Sequence, residues 1–415
     1  MKASCPMHSV DPFDPAFIAD PYPILAQLRV GAPISYVENL NLWLVTRYDD
    51  AKAILLDPAT YSNAMTQKPL FPIAEEAQQI LDAANFMPHP APVGLTGSDA
   101  PIHTRLRKHL ARAMAFTPKK IASLEEAVAQ SSAELIDAFA HRGHSELVSE
   151  LTGVLPARVV FKIIGFPEED HEQLRLWCSD RLTMFWGRSS VAEQCKVADG
   201  LAKYWSYCLA FAEAEQGPAC LTTELIRVSR DDPNPLSRIE IAGILFGLIF
   251  AGQETTANVL TETFRMLLED RARWKALMED RTLIPNAFEE TLRLAPPIAA
   301  WRRITTKPTT LSGVDLPAGA VVLVHLGSAG HDESTFTDSE SFDAKRENAT
   351  KHFAFGHGVH FCLGAPLSRM EARILINSVI DRIPDIRLRT PQTFEYVPNI
   401  AFRGPKQLFV EWGQQ

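Results

Sequence analysis

The sequence has no long apolar run, no long run of like charge and no regular cysteine spacing. Its most apolar stretch, from Ile241 to Gly252, is shorter than the roughly 20 residues that a membrane-spanning helix needs, so we expect no membrane association. Cysteine occurs six times in 415 residues, which predicts a reduced, cytoplasmic compartment and no disulfide framework. Lys2 is followed by a polar stretch, so an export signal is not expected.

The charge balance argues against nucleic acid as a partner. The chain has 50 acidic and 41 basic residues and a net charge of −9, whereas electrostatic binding of nucleic acid needs a basic surface. The 29 prolines are dispersed, and no Gly/Ser-rich linker or repeat divides the chain. We therefore predict a single domain over residues 1–415, acting as a monomer.

Residue patterning predicts a mainly α protein with a minor β contribution. Strand signals lie mainly in residues 20–60 and 305–325, and the remainder has helical patterning. The clearest helix begins with the capping-box pattern of Ser237 and Glu240. It continues to Asp270, on the order of 30 residues or about 45 Å. This helix is apolar nearly all round in its first half, so we predict that it is central in the fold.

Several local predictions follow from the same patterns. We expect a strand pair with a turn at Glu38–Asn39, a turn at residues 314–319, and a hairpin-like pair around Phe394 and residues 408–410. Helices are expected at residues 103–115, 119–141, 191–215 and 285–294, and from just after Cys362 to residue 383.

The segment from Phe355 to Gly364 is the most informative stretch of the sequence. Cys362 stands among three glycines, and glycine lets the backbone adopt positive φ and approach a flat cofactor. Backbone N–H groups after the cysteine could donate to its sulfur. The helix predicted after Cys362 would direct its N-terminus at the sulfur and favour a thiolate. These features predict a thiolate ligand to haem iron.

Two other interpretations of this segment are open at the level of sequence. A zinc site could use His357, His360 and Cys362, although their spacing is poor for structural zinc and no further ligand pair stands nearby. Cys362 could also be a buried thiol without a ligand role.

The segment resembles the haem-binding signature of the cytochrome P450 monooxygenases at six positions: Phe355, Gly356, Gly358, His360, Cys362 and Gly364. Its continuation to Glu371 is similar to the bacterial branch of that family. The resemblance implies the cytochrome P450 fold, with a long central helix over haem b, and Cys362 as the axial ligand of the iron. It extends from Asp20 to Gly404.

A second motif resembles the family's Glu-x-x-Arg pair. Glu290 and Arg293 lie on one helix face at i, i+3. Arg346 stands where the family has a second arginine that completes a cluster behind the cysteine loop. Ser341 replaces the proline that the family usually has before Phe342, a departure that we expect to be harmless.

The central helix carries the predicted catalytic residues. Small Ala251 and Gly252 would let a ligand lie against the helix, and Thr255 can hydrogen-bond a preceding carbonyl or a water. Splitting bound dioxygen requires two protons, for which an acid–alcohol pair is the expected relay. Glu254 and Thr255 provide such a pair and resemble the family's acid–threonine motif. The alternative is a simple helix break.

Further site residues are implied by the resemblance. Its expected contacts to the haem carboxylates are His103, Arg107, Arg303 and His360. Other expected haem contacts are Ala251, Phe355, Gly356 and Gly364. The candidates for an apolar substrate pocket are Gly247, Phe250, Ala251, Ala299 and Phe402. Residues 86–95 and 184–186 are expected to close over that pocket.

These residues predict a haem-thiolate monooxygenase that uses O2 and two electrons to hydroxylate or O-dealkylate a small to medium apolar, aromatic substrate. Only 53 residues follow Cys362, and no flavin fingerprint or iron–sulfur cysteine run occurs, so we expect no fused reductase. The resemblance implies electrons from NAD(P)H through a reductase and a ferredoxin or flavodoxin. The alternatives are a peroxide-driven haem-thiolate enzyme, against which Glu254 and Thr255 argue, and a haem-based sensor.

Overall fold

The computed structural model describes residues 10–86, 94–113, 116–178, 180–214 and 220–413. These residues form two compact units. Unit 1 contains the described residues within 10–66, 125–155 and 255–413. Unit 2 contains those within 67–124 and 156–254.

Helices account for most of the regular structure. In chain order they are α1 (Pro15–Ala19), α2 (Tyr22–Gly31), α3 (Tyr48–Leu56), α4 (Glu75–Ala83), α5 (Ile102–Arg112), α6 (Pro118–Ala122), α7 (Glu125–Ala140), α8 (Leu155–Ile164), α9 (His171–Trp177), α10 (Arg181–Trp186), α11 (Val191–Phe211), α12 (Leu221–Arg230), α13 (Arg238–Gly252), α14 (Glu254–Glu269), α15 (Arg271–Glu279), α16 (Ile284–Leu294), α17 (Leu326–Gly330) and α18 (Ala365–Arg382). The prediction of a mainly helical protein is confirmed.

The strands are short and form three sheets. In chain order they are β1 (Ile34–Val37), β2 (Leu42–Val45), β3 (Tyr61–Ser62), β4 (His144–Glu146), β5 (Trp301–Thr305), β6 (Thr309–Leu311), β7 (Val314–Leu316), β8 (Val321–Val324), β9 (Arg387–Leu388) and β10 (Phe409–Glu411).

The largest sheet lies in unit 1 and has the strand order β1-β2-β8-β5-β3. Its first two strands form the predicted antiparallel pair, in which Ile34 is opposite Val45 and Val37 is opposite Leu42. A 3-10 turn at Glu38–Leu40 connects them, with Asn41 in the left-handed region. Strand β2 then pairs with β8 in parallel. The sheet thereby joins chain segments that are far apart in the sequence, with Trp43 opposite Val322.

The prediction of a turn at residues 314–319 is wrong in its first half. Residues Val314–Leu316 form β7, which pairs with β6 so that Thr310 is opposite Asp315. The tight turn lies earlier, at Ser312 and Gly313, with φ angles of 43° and 80°. Two successive residues with positive φ suit the right-handed twist of a two-residue hairpin, which explains why the strand resumes so soon.

The C-terminal strand also has different partners from those expected. Strand β10 pairs with β4, where Phe409 is opposite Glu146, and with β9, where Val410 is opposite Leu388. The predicted pairing of residues 408–410 with the region of Phe394 is therefore wrong. Only an isolated bridge between Tyr396 and Pro405 is found there among the described residues.

Packing in unit 1 supports the segment around Cys362. Helix α18 packs against α7 and α16, and α3 packs against the 3-10 turn Gly358–His360. Buried residues of the large sheet and of α3 form one hydrophobic cluster. Phe353 belongs to this cluster and stacks on Tyr48 with ring centroids 4.5 Å apart. Phe353, two residues before the cysteine segment, is thereby packed against the large sheet and α3.

Unit 2 is helical, and α11 packs against more of its helices than α12 does. Helix α11 packs against α4, α9, α10 and α13, while α12 packs against α5 and α13. Capping boxes at Ser190 with Glu193 and at Ser237 with Glu240 begin α11 and α13, and the second of these confirms the sequence prediction. The patterning did not predict α12. The predicted helix at residues 119–141 is divided into α6 and α7.

The long central helix is present but interrupted. Helix α13 ends at Gly252 and α14 begins at Glu254, with Gln253 at φ −79° and ψ −66° between them. The whole stretch Arg238–Glu269 covers 32 residues and has a mean hydropathy of 1.2 in its most apolar window, half of which is buried. By length and composition it could cross a membrane, a test that the buried core helix of a soluble protein also passes.

Candidate active site

The backbone of the cysteine segment depends on two glycines with left-handed φ angles, 69° at Gly356 and 70° at Gly358. A Cβ atom at Gly358 would lie 2.9 Å from the carbonyl oxygen of Leu55, so the close packing on α3 also requires glycine. The backbone N–H of Cys362 donates to the carbonyl oxygen of Phe355 at 2.9 Å. This hydrogen bond closes a loop that leaves the Cys362 side chain exposed.

The N-terminus of α18 lies directly beside the cysteine. Gly364 is the N-cap residue and Pro366 lies in the first turn. A Cβ atom at Gly364 would lie 3.7 Å from the sulfur of Cys362, which shows how near the sulfur is to the start of the helix. The positive end of the helix dipole favours the thiolate form of such a cysteine.

The two alternative interpretations of the cysteine segment are not supported. No group of three or more His, Cys, Asp or Glu side chains in the described ranges could hold a metal ion, so His357, His360 and Cys362 do not form a zinc site. The exposure of Cys362 contradicts the interpretation as a buried thiol.

The donor chemistry of this part of unit 1 fits a haem. An exposed cysteine sulfur beside a helix N-terminus is the kind of soft donor that would bind haem iron as a thiolate. Two side chains of the same unit could bind haem carboxylates. Arg303 lies in β5 and is buried, and His360 lies in the 3-10 turn before the cysteine. Phe355 and Gly356 lie in the cysteine loop itself.

The structure brings together the predicted Glu290, Arg293 and Arg346. Both Glu290 and Arg293 have fully buried side chains. Arg293 donates to the two carboxylate oxygens of Glu290 at 2.7 and 2.8 Å, and the Nε of Arg346 donates to Oε1 at 2.9 Å. The carbonyl oxygen of Ser341 accepts from both arginines. A backbone atom makes these contacts, which explains why serine can replace proline there.

Glu254 has a charged neighbour that the sequence did not indicate. The Nη2 of Arg181, in α10, lies 3.6 Å from Oε2 of Glu254. Burial raises the pKa of Glu254, Arg181 opposes that shift, and Asp180 adds to it. A carboxyl group with a raised pKa holds its proton more readily than an ordinary glutamate. Thr255 directly follows it in the first turn of α14.

The predicted pocket residues of α13 differ in their surroundings. Phe250 is buried, and the guanidinium carbon of Arg181 lies 3.7 Å from the centre of its ring. Tyr204 packs edge-on against the same ring. Gly247 and Ala251 lie on an exposed part of α13, and a Cβ atom at Gly247 would meet no atom within 4 Å. An uncovered strip on an otherwise apolar helix suits a ligand lying against it.

The two predicted haem contacts of unit 2 lie on α5. His103 and Arg107 are one turn apart, and His103 is 3% exposed. Burial lowers the pKa of His103, and the nearby charge of Arg107 lowers it further, while Asp99 opposes both. The predicted helix is confirmed, with Pro101 as its N-cap residue.

Two predicted pocket residues lie together in unit 1. The backbone N–H of Ala299 donates to the carbonyl oxygen of Ala401 at 2.7 Å, and Ile298 bridges to Phe402. Ala299 and Phe402 line one pocket of this unit with other side chains that include Leu323. Of the loops expected to close over a substrate, residues 87–93 lie outside the described residues, and residues 184–186 end α10.

Sequence reasoning missed a second charged cluster beside the cysteine segment. Glu289 binds Arg369 and His352, and these partners are 80 and 63 residues away in the chain. Arg181 was also missed. No spacing rule connects residues so far apart, so the only signal was Arg369 itself, seven positions after the cysteine.

Comparison with known proteins agrees with this site. Residues 210–383 match the family model "Cytochrome P450". The curated "Cytochrome P450 monooxygenase PikC" of Streptomyces venezuelae is 34% identical, over 99% of this chain and 95% of the relative. The structure of "cytochrome P450 CREJ in complex with (4-ethylphenyl) dihydrogen phosphate" has a TM-score of 0.91 and 31% identity, covering 99% of this chain and 100% of that one. An intact type IV self-sufficient cytochrome P450 monooxygenase has a TM-score of 0.90 and 34% identity, covering 98% of this chain and 53% of that one.

The chain therefore belongs to the cytochrome P450 family. The predicted fold and the predicted class of enzyme, a monooxygenase, are confirmed. As a member of this family it uses haem b and O2, with electrons that originate from NAD(P)H and arrive through partners.

Proposed function

We propose that this monooxygenase hydroxylates or O-dealkylates small to medium apolar, aromatic substrates. The carrying observation is the Cys362 loop, in which an exposed sulfur lies beside the N-terminus of α18. A bound haem would supply the oxygen-activating chemistry, and Cys362 would bind its iron. The family resemblance implies that His103, Arg107, Arg303 and His360 would bind the haem carboxylates. Haem contacts are completed by Phe355, Gly356, Gly364 and Ala251.

The apolar side chains at the predicted pocket positions support an aromatic substrate. The ligand of the related CREJ structure is (4-ethylphenyl) dihydrogen phosphate, which joins an aromatic ethylphenyl group to a phosphate. The proposed substrate class is tested with the purified holoenzyme and a matched set of alkyl and alkoxy aromatics. The Soret shift on binding and the products formed are recorded for each compound. Alcohol and O-dealkylated products support the proposal, whereas Soret shifts with charged or highly polar molecules alone would contradict it.

Electrons are proposed to come from a separate ferredoxin or flavodoxin, reduced by its own reductase, in the cytoplasm. We also propose that the chain acts as one domain and as a monomer. Turnover is to be compared with NAD(P)H plus each carrier and its reductase, and with hydrogen peroxide alone. Efficient turnover with peroxide and none with either carrier would favour the peroxide-driven alternative.

Glu254 and Thr255 are proposed to deliver protons to bound dioxygen. Burial raises the pKa of Glu254, and Arg181 opposes that shift. The Glu254 side chain is still 31% exposed, so it can exchange protons with solvent, and Thr255 is the next residue in the chain. We expect Thr255→Ala to bind substrate normally but to divert electrons to hydrogen peroxide, so that product per NAD(P)H falls about tenfold or more. Thr255→Ser keeps the hydroxyl group and is the matched control. Unchanged coupling in the alanine variant would exclude the role.

Ala299 and Phe402 are proposed to limit the size of the substrate. Filling space with Ala299→Phe is expected to weaken binding of large ligands about tenfold or more relative to small ones, because one methylene group in such a pocket is worth roughly 1–3 kcal/mol. Phe402→Ala is expected to admit bulkier ligands with poorer coupling. Binding constants from Soret titrations with a homologous ligand series measure both. Equal effects on all ligand sizes would contradict the assignment.

A further inference from the structure

Two adjacent glutamates of α16 bind two different clusters. Glu290 is the acid of the Glu-x-x-Arg motif and binds Arg293 and Arg346. Glu289 instead forms what we term the Glu289 clamp, which consists of Glu289, His352 and Arg369. The family resemblance of the sequence assigned no role to Glu289 or to His352.

The geometry of the clamp is well defined. Arg369 donates through Nε to Oε1 of Glu289 at 2.6 Å and through Nη2 to Oε2 at 2.9 Å. His352 Nε2 lies 3.2 Å from the same Oε2. Glu289 and His352 are buried, while the Arg369 side chain is 39% exposed. Burial alone would raise the pKa of Glu289, but the hydrogen bonds with Arg369 and His352 lower it to about 2, so the carboxylate is charged in the folded protein.

The clamp holds both ends of the cysteine segment. His352 precedes Cys362 by ten positions, and Arg369 follows it by seven, in the second turn of α18. Arg369 also contacts the segment itself, because its guanidinium carbon lies 4.7 Å from the centre of the Phe355 ring. Phe355 is also the residue whose carbonyl oxygen accepts from the Cys362 N–H. The Glu289 carboxylate therefore connects the chain just before the segment to the helix that follows it, and Arg369 also contacts Phe355, the first residue of the segment.

The clamp also holds a positive charge in the second turn of α18, the helix whose N-terminus lies beside the sulfur. The pKa of Arg369 is raised first by its hydrogen bond to Glu289 and then, against the effect of burial, by the charges of Glu289 and Cys362. A positive charge near the ligand stabilises added negative charge on the metal, and the carboxylate of Glu289 offsets part of that stabilisation.

We propose that the Glu289 clamp positions the Cys362 loop and sets the reduction potential of the iron that Cys362 binds, through the balance of charge between Arg369 and Glu289. This inference rests on the proposed role of Cys362 as the iron ligand. Glu289 and Arg369 are positioning residues, because they act through the cysteine loop and not on the reacting atoms.

The test is a reductive titration of purified holoenzymes with dithionite, together with the reduced carbon monoxide spectrum. Glu289→Gln removes the negative charge, so we expect it to raise the potential, whereas Arg369→Gln removes the positive charge and should lower it. We expect each to change the ferric–ferrous equilibrium about tenfold, which is 59 mV for one electron. Arg369→Lys keeps the charge, so its potential should lie closer to that of the parent protein.

The control is Glu172→Gln, which breaks an exposed Glu172–Arg175 pair of the same two-contact geometry in unit 2 and should leave the potential unchanged. Opposite shifts in the two clamp variants support the proposal, since a merely structural role predicts shifts of the same sign. Shifts of one sign, no shift in either variant, or loss of haem from both would overturn it. A failure of the Cys362 assignment is detected separately, in the spectrum of Cys362→Ser.

Discussion

We expect Cys362→Ser to abolish the thiolate-type carbon monoxide spectrum of the reduced protein, together with its monooxygenase activity. Serine has a side chain of similar shape, and it keeps the backbone hydrogen bond from the N–H of residue 362 to the carbonyl oxygen of Phe355. The loop can therefore keep its shape. What is lost is the thiolate, whose electron donation to the iron favours cleavage of the O–O bond. The measurement is the position of the Soret band after reduction and addition of carbon monoxide, on protein with its haem content determined.

Cys195→Ser is the matched control for that experiment. Cys195 is only partly buried and lies in α11 of unit 2, so its replacement should leave the spectrum unchanged. If Cys362→Ser retained the thiolate-type band, the iron ligand would have to be another residue. If both variants lost it, the loss would have to be attributed to general damage and Cys362 would no longer be singled out.

Local sequence signals predicted the cysteine segment well. The glycines at positions 356 and 358 indicated a backbone with positive φ angles, and both residues have positive φ in the structure. The helix after the cysteine begins at Ala365, as its position after Gly364 indicated. Glu290 and Arg293 are also a local pair, at i, i+3. Predictions of this kind succeed because the interacting groups lie within one turn or one loop, where spacing determines geometry.

Long-range partners could not be predicted in the same way. Whether Glu289 contacts Arg369, or β10 pairs with β4, depends on the path that the chain takes through the fold over many intervening residues. Arg181 is a second case, since an arginine in an ordinary helical stretch gives no sign that it will lie beside Glu254. Tertiary packing decides such contacts, and helical periodicity predicts only which face of an element is apolar.

The interruption at Gln253 shows a different limit. The residues from Ala251 to Thr256 predicted a local distortion at the place where the central helix carries chemistry, with helical patterning resuming directly after it. In the structure the helix is interrupted at that same place. Gln253 keeps right-handed helical φ and ψ angles, so the distortion is too small for local propensities to predict the residue at which it occurs.

We expect Arg293→Ala to destabilise the protein by about 3–5 kcal/mol, the range found when one partner of a buried ion pair is removed. Its side chain and that of Glu290 are fully buried. The truncation would leave the Glu290 carboxylate with Arg346 and would remove the donor to the carbonyl oxygens of Gly330 and Ser339, which it reaches at 2.7 and 2.6 Å. Because a domain is typically stable by only about 5–15 kcal/mol, we also expect a large loss of haem-loaded protein.

Chemical unfolding followed by circular dichroism, with haem content determined on the same samples, measures this effect. The comparison variant is Arg281→Ala in the same unit, where Arg281 binds the exposed Asp381 at 2.9 Å. An exposed pair contributes about 0–1 kcal/mol, so its loss should be small. Arg293→Lys should fall between the two, because it keeps the buried positive charge but cannot bind both carboxylate oxygens of Glu290 through a planar fork. Equal stability of Arg293→Ala and Arg281→Ala would mean that the buried cluster does not stabilise the fold, and that its partners find other contacts when the arginine is removed.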